Sequence, residues 1–120
     1  MAAPNIVNVA TITGITTGRA LTTTTTTQLV TNVASSGKVF KVNSIVVANV
    51  DGTSAADVTL GYNDGSTTYK IAHTVTVPAD STLIALDKNA ALYLEEGTKL
   101  VGGASANSDL ECLITYEEIS

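Results

Sequence analysis

Apolar and polar residues alternate with period two along most of the chain, and the alternating stretches are rich in Val, Ile and Thr. Branched Cβ atoms lose rotamer freedom in a helix and pack well on a pleated surface, so this pattern predicts strands. Residues 5–13 read as a first strand, with Val7 and Val9 on one face and Ile6, Ala10 and Ile12 on the other. Residues 19–33 form a Thr-rich stretch around residues 22–27, predicted as an exposed or edge strand. Residues 39–50 give the clearest core strand. Phe40, Val42, Val46, Ala48 and Val50 share one face of it, and Ile45 and Val47 lie on the other. Apolar residues on both faces imply burial on both sides, or contact with a neighbouring subunit.

Farther along, residues 51–57 read as a loop and Val58, Leu60 and Tyr62 as the inner face of the next strand. Asn63-Asp64-Gly65-Ser66 predicts a hairpin turn of type I′, in which both central residues take positive φ. The return strand spans residues 67–77, with Tyr69, Ile71, His73, Val75 and Val77 on one face. Pro78-Ala79-Asp80-Ser81 turns the chain, and shorter strands follow over residues 82–86, 91–94 and 99–102. Residues 110–119 close the pattern, with Leu110, Cys112, Ile114 and Tyr116 inward. The count comes to about eight strands at spacings of roughly 8–12 residues. The predicted fold is all-β: a two-sheet antiparallel β-sandwich, jelly-roll-like, with an immunoglobulin-like arrangement as the alternative. No helical period and no internal repeat is evident. The 120 residues are expected to form a single β-sandwich domain over residues 1–120, with residues 1–36 a Thr-rich amino-terminal arm or edge-strand region.

Composition sharpens this picture. Aromatic residues make up 4% of the chain, with one Phe and no Trp, so the core must come from Val, Ile, Leu and Ala. Such a core gains from apolar contact with further copies or with a partner. The net charge is -5, and the basic residues Arg19, Lys38, Lys41, Lys70, Lys88 and Lys99 are scattered. Phosphate backbones are held by clustered Lys and Arg, so no nucleic-acid partner is expected. The opening residues lack a basic segment followed by an apolar run, and no apolar stretch approaches the roughly 20 residues of a membrane helix. Neither export nor a membrane partner is therefore expected, and the protein is expected to be made in the cytoplasm.

Reactive side chains are few. His73, the only histidine, lies between Ile71 and Val75 on an apolar face and reads as a packed core or interface residue. Cys112, the only cysteine, lies between Leu110 and Ile114 and reads as a buried structural thiol. Asp51, Asp57, Asp64, Asp80 and Asp87 fall in predicted turns, where Asp bonds nearby backbone N–H groups; calcium is the lesser reading. Glu95-Glu96 and Glu117-Glu118 are adjacent acids that point to opposite faces of a strand, so neither pair is an acid–base dyad. They read as solvated strand ends that discourage edge pairing. The run at residues 22–27 could present hydroxyls to ice or sugar, but an edge or inter-subunit strand explains it better. No phosphate loop, dinucleotide fingerprint, hydrolase elbow or zinc spacing is present. Catalytic, cofactor-binding and metal-binding residues are thus all expected to be none, and the chain is not expected to be an enzyme.

Residues 37–52, Gly37-Lys38-Val39-Phe40-Lys41-Val42-Asn43-Ser44-Ile45-Val46-Val47-Ala48-Asn49-Val50-Asp51-Gly52, resemble small virion structural proteins of tailed bacteriophages, particularly marine phages. So do residues 77–84, residues 92–97 and the ending at residues 109–120, which closes on Tyr116-Glu117-Glu118-Ile119-Ser120. The resemblance covers residues 37–120 and is one of strand and turn phrasing, with no catalytic signature. It implies a β-sandwich present in many copies on a particle. The function it favours is capsid decoration: a cement protein that binds the outer surface of an assembled head, partnered by the major capsid protein or other virion proteins. A homo-oligomer is expected, with a trimer favoured for a threefold position. A tail, neck or fibre-associated role is one alternative and a carbohydrate- or host-surface-binding module another. For a sugar platform, Tyr93 is the one tyrosine predicted to be free.

Overall fold

A computed structural model describes residues 10–120. Among the described residues nine strands run in chain order: β1 (Ile12–Ala20), β2 (Gln28–Asn32), β3 (Val39–Asn49), β4 (Ala56–Asn63), β5 (Thr68–Val77), β6 (Thr82–Leu86), β7 (Leu92–Leu94), β8 (Thr98–Ala104) and β9 (Leu110–Ile119). A single 3₁₀ turn at Lys88–Ala90 separates β6 from β7. The first sheet has the order β1-β9-β3-β6, with β7 also pairing β3; the second has the order β2-β8-β4-β5. Every pairing is antiparallel. The two sheets face each other across one core, so the predicted all-β sandwich is correct.

Both sheets supply that core. Phe40, Val42, Ile45, Val47, Leu110, Cys112 and Ile114 come from the first, and Leu29, Val58, Leu60, Val77 and Leu100 from the second. Phe40 packs against Tyr116 with ring centroids 5.2 Å apart. In β9 the predicted alternation holds: Leu110, Cys112, Ile114 and Tyr116 are all buried.

In β3 it does not hold throughout. Val42 pairs with Tyr116 and Ser44 with Thr115, so Asn43 is an extra residue in a β-bulge. Such an insertion inverts the parity of every later side chain. Phe40 and Val42 point inward before the bulge; Ile45, Val47 and Asn49 point inward after it. Val46 and Ala48, predicted to share the core face, lie on the outer face, and Val50 is exposed.

Two irregularities act the same way on β5. Val58 pairs with Val75 but Leu60 with Ala72, and Gly61 then pairs with Lys70. Thr74 takes a φ of 48°, and its N–H donates to Thr59 Oγ1 at 3.1 Å. The predicted inner face of β5 is therefore broken up. Val77 is buried and Ile71 half-buried, while Tyr69, His73 and Val75 are exposed.

Turns differ from expectation in two further places. The hairpin between β4 and β5 falls where predicted, but only Gly65 has positive φ there, so it is not type I′. Asp64 Oδ1 instead accepts from Ser66 N and Thr67 N, closing a four-residue loop. The strand predicted at residues 19–33 is two edge strands with a loop between them. Residues 5–9 of the predicted first strand lie outside the described residues, and β1 begins at Ile12.

The loop over residues 21–27 crosses β8. Ala104 N donates to Thr22 O and Gly102 N to Thr27 O, while Thr23 N donates to Asn107 Oδ1. A Cβ on Gly103 would come within 2.6 Å of Thr24 O and 2.8 Å of Thr22 O. The Thr run is a close-packed loop because Gly103 lets its backbone approach the strand.

Two buried asparagines join the sheets at opposite ends of β3. Asn32, at the end of β2, donates from Nδ2 to Lys38 O at 2.9 Å and to Leu94 O at 3.0 Å, and its Oδ1 accepts from the Ser36 hydroxyl. Asn49, at the end of β3, donates to Ser54 O at 3.0 Å and to Val77 O at 2.9 Å, and accepts from Asp51 N. Each amide uses both its donors and its acceptor, which is what a buried polar side chain requires.

Candidate docking surface

The outer face of the first sheet can be read row by row from its register. Gly14, Glu117, Lys41 and Tyr93 form one row. Thr16, Thr115 and Ser44 form the next. Gly18, Leu113, Val46 and Ile84 form a third, and Ala20, Glu111, Ala48 and Thr82 a fourth. The third row is apolar across four strands, with Leu113 52% and Ile84 64% exposed. Rows above and below carry hydroxyls, small side chains and a few charges. An apolar stripe rimmed by polar groups has the composition of a contact surface. The bulge at Asn43 creates it, because it is what turns Val46 outward into line with Leu113 and Ile84.

Beside this row is an open depression of about 300 Å³ lined by Gly18, Arg19, Ala20, Glu111, Cys112 and Leu113. It holds no nucleophile paired with a base. Cys112 is 1% exposed, and burial pushes its thiol up to about 12. The thiol is thus kept protonated, as suits a structural core residue.

The other residues singled out from sequence are scattered. His73 is exposed in the β5 bulge, not packed in the core, because the extra residue rotates it away. The aspartates serve turns and strand ends. Asp51 Oδ1 accepts from Thr53 N and Oγ1, both at 2.9 Å, and these bonds hold its carboxyl below the usual range. Backbone N–H groups of Thr67 and Ser66 do the same for Asp64. Asp87 accepts from Asn89 N, and Asp57 accepts from the Thr76 hydroxyl. Among the described residues no group of three or more His, Cys, Asp or Glu is placed to share a metal ion.

Three of the four paired glutamates differ from the solvated strand ends expected. Glu96 accepts from Gly37 N, Glu118 pairs with Lys38 at 3.0 Å, and Glu117 accepts from Asn43 Nδ2. β9 lies inside its sheet, between β1 and β3, so Glu117 and Glu118 guard no edge. They anchor the chain around the start of β3 and its bulge. Tyr69, assigned inward from sequence, is 59% exposed on the edge strand β5; Tyr93 is 42% exposed, as expected.

Sequence reasoning missed the exposed row itself. Leu113 was recoverable, since strict alternation in β9 turns it outward. Ile84 and Val46 were not, because their facing depends on the bulges in β3 and β6.

No family model matches the chain, and no curated protein matches it. Among solved structures, it is similar to two described as a pentameric capsid protein isolated from metagenomic phage sequences. Both alignments have a TM-score of 0.43 and 17% identity and cover 87% of this chain. The chain spans 62% of one of those structures and 60% of the other.

Proposed function

We propose that the chain is a virion structural protein, without catalytic role, and more finely a capsid decoration or cement protein. In this reading it binds the outer surface of an assembled phage head through the face that carries Leu113, Val46 and Ile84. That exposed apolar row is the observation that carries the proposal. A sandwich with a filled core has no internal reason to keep such a row on its outside. The sequence resemblance over residues 37–120 supplies the class of partner: the major capsid protein or another virion protein. The strand order, β1-β9-β3-β6 against β2-β8-β4-β5, supports the jelly-roll reading of a single domain, since successive strands nest between the sheets as two Greek keys.

The mechanism is additive. A protein that binds the assembled lattice and not the free subunits stabilises the assembled state by mass action. Many equivalent sites multiply the effect if copies are linked as a homo-oligomer, with a trimer suited to a threefold position. The protein would be made in the host cytoplasm and reside in the virion.

Gold-labelled antibody on intact particles tests the class, and rebinding of the purified protein to stripped heads tests the face. Dense label over the head, with rebinding lost in Leu113→Asp and Ile84→Asp, is the expected result. Label confined to the tail or neck would replace decoration by a tail-associated role, and no label would overturn the virion reading. The two exposed tyrosines favour a carbohydrate-binding module as the second reading, and a glycan array with the Tyr69→Ala and Tyr93→Ala variants decides it.

A further inference from the structure

The two sheets present four edges, and three of them are protected. β5 is interrupted by bulges and carries Lys70 and His73. β2 has five residues and an irregular register with β8. The β3 side of the first sheet ends in β6 and β7, of five and three residues, split by the 3₁₀ turn. These are the devices by which sheets avoid pairing with other chains.

The fourth edge, β1, has neither a bulge nor a short length. It runs nine residues, Ile-Thr-Gly-Ile-Thr-Thr-Gly-Arg-Ala, in unbroken register with β9. It contains no proline and one charge, Arg19. Among the described residues no strand pairs with its other side.

We infer that this edge pairs antiparallel with β1 of a second copy of the chain, centred on Thr16, to give one sheet that continues across a twofold axis. The strand's own sequence selects the second copy as occupant. With Thr16 on the axis all nine residues pair, and Gly14 meets Gly18, Ile15 meets Thr17 and Ile12 meets Ala20. Glycine therefore meets glycine, each isoleucine meets a smaller side chain, and no like charges face each other.

Charge complementarity agrees. Arg19 falls opposite Thr13 of the second copy, and Thr13 is itself paired with Glu118. The arginine and that glutamate then lie on the same face two strand spacings apart, about 10 Å between backbones. An extended arginine reaching over a threonine closes that gap, joining Lys38 on the glutamate. The contact occurs twice by symmetry. The exposed apolar rows of both copies come to lie on one side of the joined sheet, each ending in Gly18, which meets Gly14 of the other copy at the seam. This pairing does not depend on where the protein acts, and it sets a twofold arrangement in place of the threefold one considered above.

The test is sedimentation equilibrium of the whole chain from micromolar to millimolar concentration, combined with cysteine cross-linking. A nine-residue strand pair is a small interface, so a concentration-dependent dimer is expected. Arg19→Glu should move the mass to the monomer with unchanged thermal unfolding, since Arg19 is exposed. Arg19→Lys should restore the dimer. Thr16→Cys meets itself at the axis, with Cβ atoms close to disulfide reach, and should cross-link under mild oxidation. Thr13→Cys should not. A wild-type monomer at millimolar concentration would overturn the inference. So would any oligomer, trimers included, that Arg19→Glu leaves intact and Thr16→Cys fails to cross-link. The virion reading is decided separately by the particle labelling, because a dimer can form away from the particle and a monomer can sit on it.

Discussion

Replacing Asn32 by leucine removes the clamp at the start of β3 while keeping the branching and heavy-atom count of the side chain. Asn32 is fully buried, at 0% exposure. Its Nδ2 satisfies the carbonyls of Lys38 and Leu94, and its Oδ1 takes the Ser36 hydroxyl. Leucine leaves both carbonyls without that donor. Each buried acceptor so orphaned costs about 1–3 kcal/mol. Extra apolar burial by leucine offsets part of this, so the expected loss is about 2–5 kcal/mol. Against a typical folding stability of about 5–15 kcal/mol that is a large fraction. At about 4 °C per kcal/mol for a chain of this size, the midpoint should fall by about 8–20 °C.

Asn32→Asp separates the hydrogen-bond argument from a packing one. A carboxylate at this site faces two carbonyl oxygens, so burial and repulsion raise its folded-state pKa. The folded form then holds its proton where the unfolded form has released it, and stability falls as pH rises above about 4. Asn32→Asp should be worse than Asn32→Leu at neutral pH and recover in acid, where the protonated group can again donate. Urea unfolding of the three proteins between neutral pH and the acid range reads this directly. An Asn32→Leu variant within about 0.5 kcal/mol of the parent would refute the clamp, since that is the scatter of ordinary surface substitutions. An Asn32→Asp variant with no recovery in acid would refute the assignment of the donors.

Three further outcomes follow from the same packing. Val47→Asp should fail to fold, because it buries an unpaired charge at a residue 0% exposed, whereas Val46→Asp should fold; circular dichroism and size-exclusion chromatography of both variants check this. Gly103→Ala should cost about 1–3 kcal/mol in thermal unfolding, because its Cβ would press on the backbone of Thr22 and Thr24; a neutral result would mean that the loop moves freely. Cys112 retains its proton in the fold up to about 12, against an ordinary value of 9.0. Between those values only the unfolded chain loses the proton, so stability falls as pH rises, by about 1.4 kcal/mol per pH unit and about 4 kcal/mol in all. The difference between parent and Cys112→Ala in urea at pH 8 and pH 11 isolates this slope, and parallel curves would contradict the burial.

How much of this was legible in the sequence depended on whether a strand kept its register. β9 reads correctly as far as Tyr116 because nothing interrupts it: Leu110, Cys112, Ile114 and Tyr116 are buried as read, and Ile119 is buried besides at its end. β3 defeats a single-period reading because Asn43 adds one residue. The signal was present as the polar pair Asn43-Ser44 inside an otherwise apolar strand, with apolar residues fitting neither parity across it. In β5 the shifts depend on partner residues in β4, so no pattern within the strand reveals them. The threonine run misled because β-propensity is local, while the loop is set by Gly103, about 80 residues away in the chain, which admits its backbone. The asparagine clamps were invisible for the same reason, Asn32 and Leu94 being separated by 62 positions.

The candidate surface inherits this dependence. Val46 lines up with Leu113 and Ile84 only because the bulge at Asn43 reverses the second half of β3. The same reversal sends Ile45, Val47 and Asn49 inward, where they complete the core and the second clamp. One inserted residue therefore both closes the sandwich and exposes the apolar row. The row cannot be moved to the inside without unmaking the core. That coupling fixes where Leu113, Val46 and Ile84 point; it gives no reason for them to be apolar. In the proposed docking a partner buries them, and the fold itself fixes the stripe they present.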